Sequence, residues 1–172
     1  ISKGEPFTIS GTAEGDPESV RIWIVGKNYY FGALESVNPD ASYNYEVPRE
    51  VTSHLESGQN FVIVLHPMQN TRFDIDVSGD YVRNLNLNNG TNLFRISGPG
   101  SLQGSDAADA LVAALSDQKT IDDTYTLIPF QVTDAGGQTT HVTNATTAPV
   151  QRTTDDGLLG TIQEAFRSFL NG

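Results

Sequence analysis

The sequence predicts a mainly β protein, built as an antiparallel β-sandwich. Three observations point there. Apolar and polar residues alternate at period 2 in several segments, as in Val20, Ile22 and Ile24 against Arg21, Trp23 and Val25. Turn residues separate these segments at roughly 10–15-residue spacing, the rhythm of short antiparallel strands. Phe61 to Leu65 is apolar at every position, which marks a central strand covered on both faces.

The elements follow in order. Phe7 and Ile9 open the first strand, which runs on through Gly11 to Ala13, and Glu14-Gly15-Asp16-Pro17 turns the chain. Val20 to Val25 reads as an amphipathic strand whose second face carries one large aromatic. Gly26-Lys27-Asn28 returns it into Tyr29-Tyr30-Phe31. After Asn38-Pro39-Asp40, Tyr43, Tyr45 and Val47 alternate with Ser42, Asn44 and Glu46. Val51 to Leu55 fits one helical turn. Pro67 ends the central strand. Phe73, Ile75 and Val77 alternate with Asp74, Asp76 and Ser78 in a further strand or edge. Asn84 to Asn92, rich in Asn and holding Gly90, reads as a loop whose side chains bond their own backbone.

The period then changes. Ala107, Ala108, Leu111, Ala114 and Leu115 recur at helical spacing, with Ser105 as N-cap and Asp106 and Asp109 near the positive helix start. This helical excursion occupies about 99–123. Tyr125 to Val132 restores the strand pattern, and Asp134-Ala135-Gly136-Gly137 begins a hairpin turn. The expected organisation is a β-sandwich domain over 1–143, a Thr-rich linker over 144–153 and an amphipathic helix over 154–172. In that helix Leu158, Leu159, Ile162, Phe166, Phe169 and Leu170 form one stripe.

Composition removes several function classes. The 172 residues contain no cysteine, which excludes disulfide scaffolds, thiolate metal sites and cysteine nucleophiles. The net charge of −11 disfavours nucleic acid and anionic membrane surfaces as partners. Apolar runs such as Phe61 to Leu65 fall far short of the ~20 residues that span a bilayer. A start at Ile1-Ser-Lys-Gly, with no basic and apolar leader, is what a mature or excised segment would show.

Four segments together carry a resemblance. They are Gly4 to Gly11, Val20 to Tyr29, Phe61 to Met68 ending in Leu65-His66-Pro67-Met68, and Ser97 to Ala108. Over about residues 4–133 the chain resembles an uncharacterised extracellular domain of cell-surface and S-layer-like proteins of methanogenic archaea. The resemblance implies an immunoglobulin-like sandwich with a helical insertion before the last core strand. It implies a location at the cell surface, with other envelope proteins or neighbouring domains of the parent chain as partners. It implies no activity and supplies no catalytic residue.

The residues agree in offering no catalytic set. His54, His66 and His141 show no metal-binding spacing, and His66, before Pro67, is placed to bond backbone carbonyls. Gly100-Ser101-Leu102-Gln103-Gly104 lacks the nucleophile-elbow spacing. Gly98 to Gly104 has the outline of a phosphate loop but no following Lys, and Asp106 and Asp109 would repel the anion. No cofactor is expected, calcium being the one ion the acids make a case for. Asp74, Asp76 and Asp80, on a strand and the turn after it, form that candidate oxygen set. Asp122-Asp123 reads as a solvated helix end. Trp23, Tyr29 and Tyr30 form the candidate ligand-binding set, since aromatics on an open sheet face would stack on a sugar or a partner. Asn89-Gly90-Thr91 and Asn144-Ala145-Thr146 place glycosylation candidates at Asn89 and Asn144.

The function expected from sequence is a non-enzymatic structural or interaction module of an archaeal envelope protein. The alternative is a carbohydrate- or protein-binding module using the aromatic face. A secreted hydrolase has the least support.

Overall fold

The computed structural model describes residues 1–88, 90–116 and 120–134. It is mainly β, and the sheets are antiparallel. The strands are β1 (Phe7–Thr12), β2 (Ser19–Gly26), β3 (Tyr29–Ser36), β4 (Ser42–Val47), β5 (Gly58–His66), β6 (Ile75–Ser78), β7 (Tyr81–Asn84), β8 (Thr91–Arg95) and β9 (Thr124–Val132). Two α-helices are described, α1 (Arg49–Thr52) and α2 (Gly104–Leu115), with a 3-10 turn at Met68–Asn70. The linker at 144–153, the helix at 154–172, His141, Asn89 and Asn144 lie outside the described residues.

A four-stranded sheet ordered β3-β2-β5-β9 forms the middle layer. Its two inner strands run Arg21↔Leu65 to Val25↔Phe61. On one face Ile22, Ile24, Val62 and Val64 meet the β1–β4 pair through Ile9, Tyr43 and Val47. On the other, Trp23, Val25, Phe61, Ile63 and Leu65 meet α2 and the β6-β7-β8 meander. Small Ala107 and Ala108 let α2 approach closely, and Leu111 and Leu115 fill the gap.

The observed β5 matches the strand read from Phe61 to Leu65. The observed β2 does not match the amphipathic reading. Its alternation is large aliphatic against large aromatic and aliphatic, and both sets are buried. Only Arg21 breaks the second set, and its guanidinium leaves the core to reach Asp76 and lie over the Phe73 ring. The Asn-rich stretch is also corrected. Tyr81–Asn84 and Thr91–Arg95 are strands, and the loop shrinks to the residues between them. The helix begins at Gly104 rather than Asp106. Its N-cap is Gln103, which makes no side-chain capping bond, so Ser105 falls inside the first turn.

Pro129 lies on β9, an edge of the sheet, where a missing N–H is tolerated. Residues 1–3 run parallel to 131–133 beside it. Ile1 N donates to Gln131 O (2.9 Å), Thr133 N to Ile1 O (2.9 Å) and Lys3 N to Thr133 O (2.7 Å).

Burial of both faces has a direct test. Ile24 and Ile63 belong to opposite cores and each is 0% exposed. Ile24→Ala and Ile63→Ala should each cost about 2–5 kcal/mol in chemical denaturation, the range for truncating a well-packed aliphatic side chain. A cost at one position only would mean that one face is not a packed core.

Candidate functional site

Among the described residues, a cluster of three acids lies where three chain segments converge. These are residues 70–75 leading into β6, residues 84–86 leaving β7, and residues 120–123 leading into β9. Asp74, Asp122 and Asp123 each bring a carboxylate oxygen there, and these oxygens lie within 4.8 Å of one another. Asp74 and Asp123 are each 2% exposed, and Asp122 is half-buried.

Asparagines and main-chain amides build the frame. Asn70 Nδ2 donates to Asp74 Oδ1 (3.0 Å) and Asp122 Oδ1 (2.7 Å). Asn86 Nδ2 donates to Asp74 Oδ1 (2.6 Å) and to the Thr120 carbonyl (2.8 Å). The Asp122 amide donates to Asp74 Oδ2 (2.6 Å). In return Asp123 Oδ2 accepts the amides of Asp74 (2.9 Å) and Ile75 (3.2 Å). Asn84, 1% exposed, bonds Thr120 Oγ1 and accepts the Asn86 amide. Asp123 Oδ1 is buried and has no hydrogen-bond partner.

The two buried carboxyls have opposite electrostatics. Burial pushes Asp74 up, but the Asp122 amide, side-chain bonding with Asp122 and the amides of Asn86 and Asn70 outweigh it. Asp74 is therefore held below the ordinary aspartate value. Burial is also the largest influence on Asp123, and the Asp74 charge adds to it. The amides of Asp74 and Ile75 offset only part, so Asp123 is pushed up to about 7. Three carboxyls this close cannot all stand ionised and uncompensated. Such a group retains a proton or takes up a cation.

The structure regroups the acids proposed from sequence. Asp74, Asp76 and Asp80 do not converge. Asp76 pairs with Arg21 at 2.7 Å, and its Oδ1 accepts the Val77 amide. Asp80 pairs with Arg95 at 2.5 Å and accepts the Ser97 hydroxyl at 2.9 Å. Alternation along a strand sends Asp74 and Asp76 to one side, but each finds a different partner across the fold. Asp122 and Asp123, read as a solvated helix end, are the residues that join Asp74. The sequence signal for them was an acidic pair immediately before a strand. What it could not show was a partner 48–49 residues away.

The aromatic set is likewise redistributed. Trp23 is 1% exposed and packs edge-on to Tyr30 with ring centroids 5.7 Å apart. Tyr29 faces the opposite core and stacks on His54 at 5.5 Å. Trp23, Tyr29 and Tyr30 therefore form no common open platform, because neighbours on a strand point to opposite faces.

The two described histidines are tied to main chain. His54 Nδ1 lies 2.6 Å from the Glu50 carbonyl. His66 Nδ1 accepts the Met68 amide, so its Nε2 carries the proton donated to the Glu14 carbonyl (2.9 Å). No described helix is long and apolar enough to cross a membrane. No family model, curated protein or solved structure matches the chain.

The Asp123 environment predicts a pH dependence of stability. Folded Asp123 keeps its proton to about 7, whereas an unfolded aspartate releases it near ~4. Between those values the folded state holds the extra proton, so raising pH favours unfolding. In chelator-containing buffer, stability should fall by on the order of 3–4 kcal/mol across this window and level off above it. Asp123→Asn, which cannot ionise, should flatten the profile. A wild-type profile that rises over the same interval would refute the assignment.

Proposed function

We propose that the chain is a non-enzymatic structural module of an archaeal cell-surface protein, one that holds its shape between neighbouring domains of an envelope assembly. The observation that carries this reading is the parallel pairing of residues 1–3 with 131–133. Tension applied through residue 1 and through the chain after 133 would pull these two segments along their own axes in opposite directions. Their hydrogen bonds would then be loaded together, in shear, rather than broken one at a time. The charged side chains fit the same role. Arg21–Asp76 ties β2 to β6, and Arg95–Asp80 closes the turn region around β7 and β8.

The accompanying fold reading is an immunoglobulin-like sandwich with α2 inserted before β9. It is supported by antiparallel sheets packed face to face and by the first residues running parallel to the last described strand. The extracellular address rests on the resemblance of the four sequence segments. The partners on this reading are other envelope proteins or adjoining domains.

Single-molecule pulling between handles at residues 1 and 134 tests the proposal. The wild type should resist with one sharp rupture. Thr133→Pro removes the amide that donates to Ile1 O and should lower the rupture force markedly. It should cost only about 1–2 kcal/mol of equilibrium stability. Gradual extension of the wild type, or an unchanged rupture force in Thr133→Pro, would overturn it.

A further inference from the structure

We propose that Asp74, Asp122 and Asp123 bind one calcium ion, which fastens the lead-in to β9 onto the start of β6. Two independent observations meet here. The first is distance. Oxygens bound to one calcium at about 2.3–2.6 Å can lie no more than about 5.2 Å apart, and one oxygen from each aspartate satisfies that limit. The second is Asp123 Oδ1, on a side chain 98% withdrawn from solvent (2% exposed), with no donor to meet it. Every other buried oxygen of Asp74 and Asp123 accepts at least one N–H. The unmatched atom is thus a lone acceptor on a member of the acidic group, which a cation would satisfy and a packed core avoids.

The surroundings favour the same ion. The influences acting on Asp123 are burial, two amides and the acids Asp74 and Asp122, and no cationic side chain is among them. The strand arginines are committed elsewhere, Arg21 to Asp76, Arg95 to Asp80 and Arg83 to the Gly90 carbonyl. Half-buried Asp122 leaves one side open to solvent, from which water can complete the coordination. Calcium accepts an irregular oxygen set completed by water, while magnesium gives up its waters reluctantly and demands near-octahedral geometry. The buried side formed by Asp74 and Asp123 suits the ion that dehydrates more readily.

The test uses the full chain stripped with EGTA near neutral pH, with calcium alone as the probe at about 2 mM, the range in which extracellular sites fill. The melting temperature should rise by roughly 3–8 °C, and calorimetric titration should give one site. Asp122→Asn and Asp123→Asn should each lose most of the rise. Asp76→Asn and Asp80→Asn should keep it, because their carboxylates belong to arginine pairs. If Asp123→Asn does not fold, Asp122→Asn decides, with terbium luminescence as a second readout that should weaken at least tenfold in apparent affinity. No shift and no binding heat in the wild type would sink the proposal. So would a rise that survives Asp122→Asn, or an equal rise with magnesium at the same concentration.

Discussion

Strands β2 and β5 lie side by side with large apolar residues on both faces, and neither face can be left to water. Ile22, Ile24, Val62 and Val64 belong to one core, and Trp23, Val25, Phe61, Ile63 and Leu65 to the other. Each such side chain stabilises the fold by roughly 1.5–3 kcal/mol when fully covered. Two covering layers are therefore obligatory. The β1–β4 pair supplies one, and α2 with the β6-β7-β8 meander supplies the other.

The second layer is built from a long excursion between β5 and β9, and it brings polar chain with it. Its irregular ends must satisfy their amides somewhere near the core. Asp74, Asp123 and Asn86 do so by bonding main chain across segments far apart in sequence, while Asn70 and Asn84 bond the Asp122 and Thr120 side chains. The same arrangement brings three carboxyls together. The electrostatic tension at Asp123 is thus a by-product of closing the second layer, and a single cation or proton relieves it.

Arg21 shows how one sequence position joins the two demands. It interrupts the otherwise apolar second face of β2, yet its guanidinium reaches the Ile75 carbonyl and Asp76 while lying over Phe73 at 4.4 Å. A charged residue in a buried strand is held by a bond to the layer that covers it. Trp23, the next residue on the same face of β2, lies in the second core with Tyr30 packed against it. The aromatics near the β2–β3 turn consequently serve both cores instead of forming one surface.

The sequence by itself marked most of the strands and the helix α2, because their residue periodicity repeats locally. Period-2 alternation marked Tyr43 to Val47 and Tyr125 to Val132, continuous apolarity marked Phe61 to Leu65, and helical spacing marked Ala107 to Leu115. It also set the absence of thiol chemistry and the acidic surface. Local pattern could not show that the face of β2 carrying Trp23 is covered, because a covered face and an open face bearing large side chains read alike. Nor could it assign Asp74 to Asp122 and Asp123 in place of Asp76 and Asp80. Only the tertiary structure decided these, since a carboxylate's partner is set by which distant segments the two cores force together, and that proximity leaves no mark on the spacing of residues along the chain.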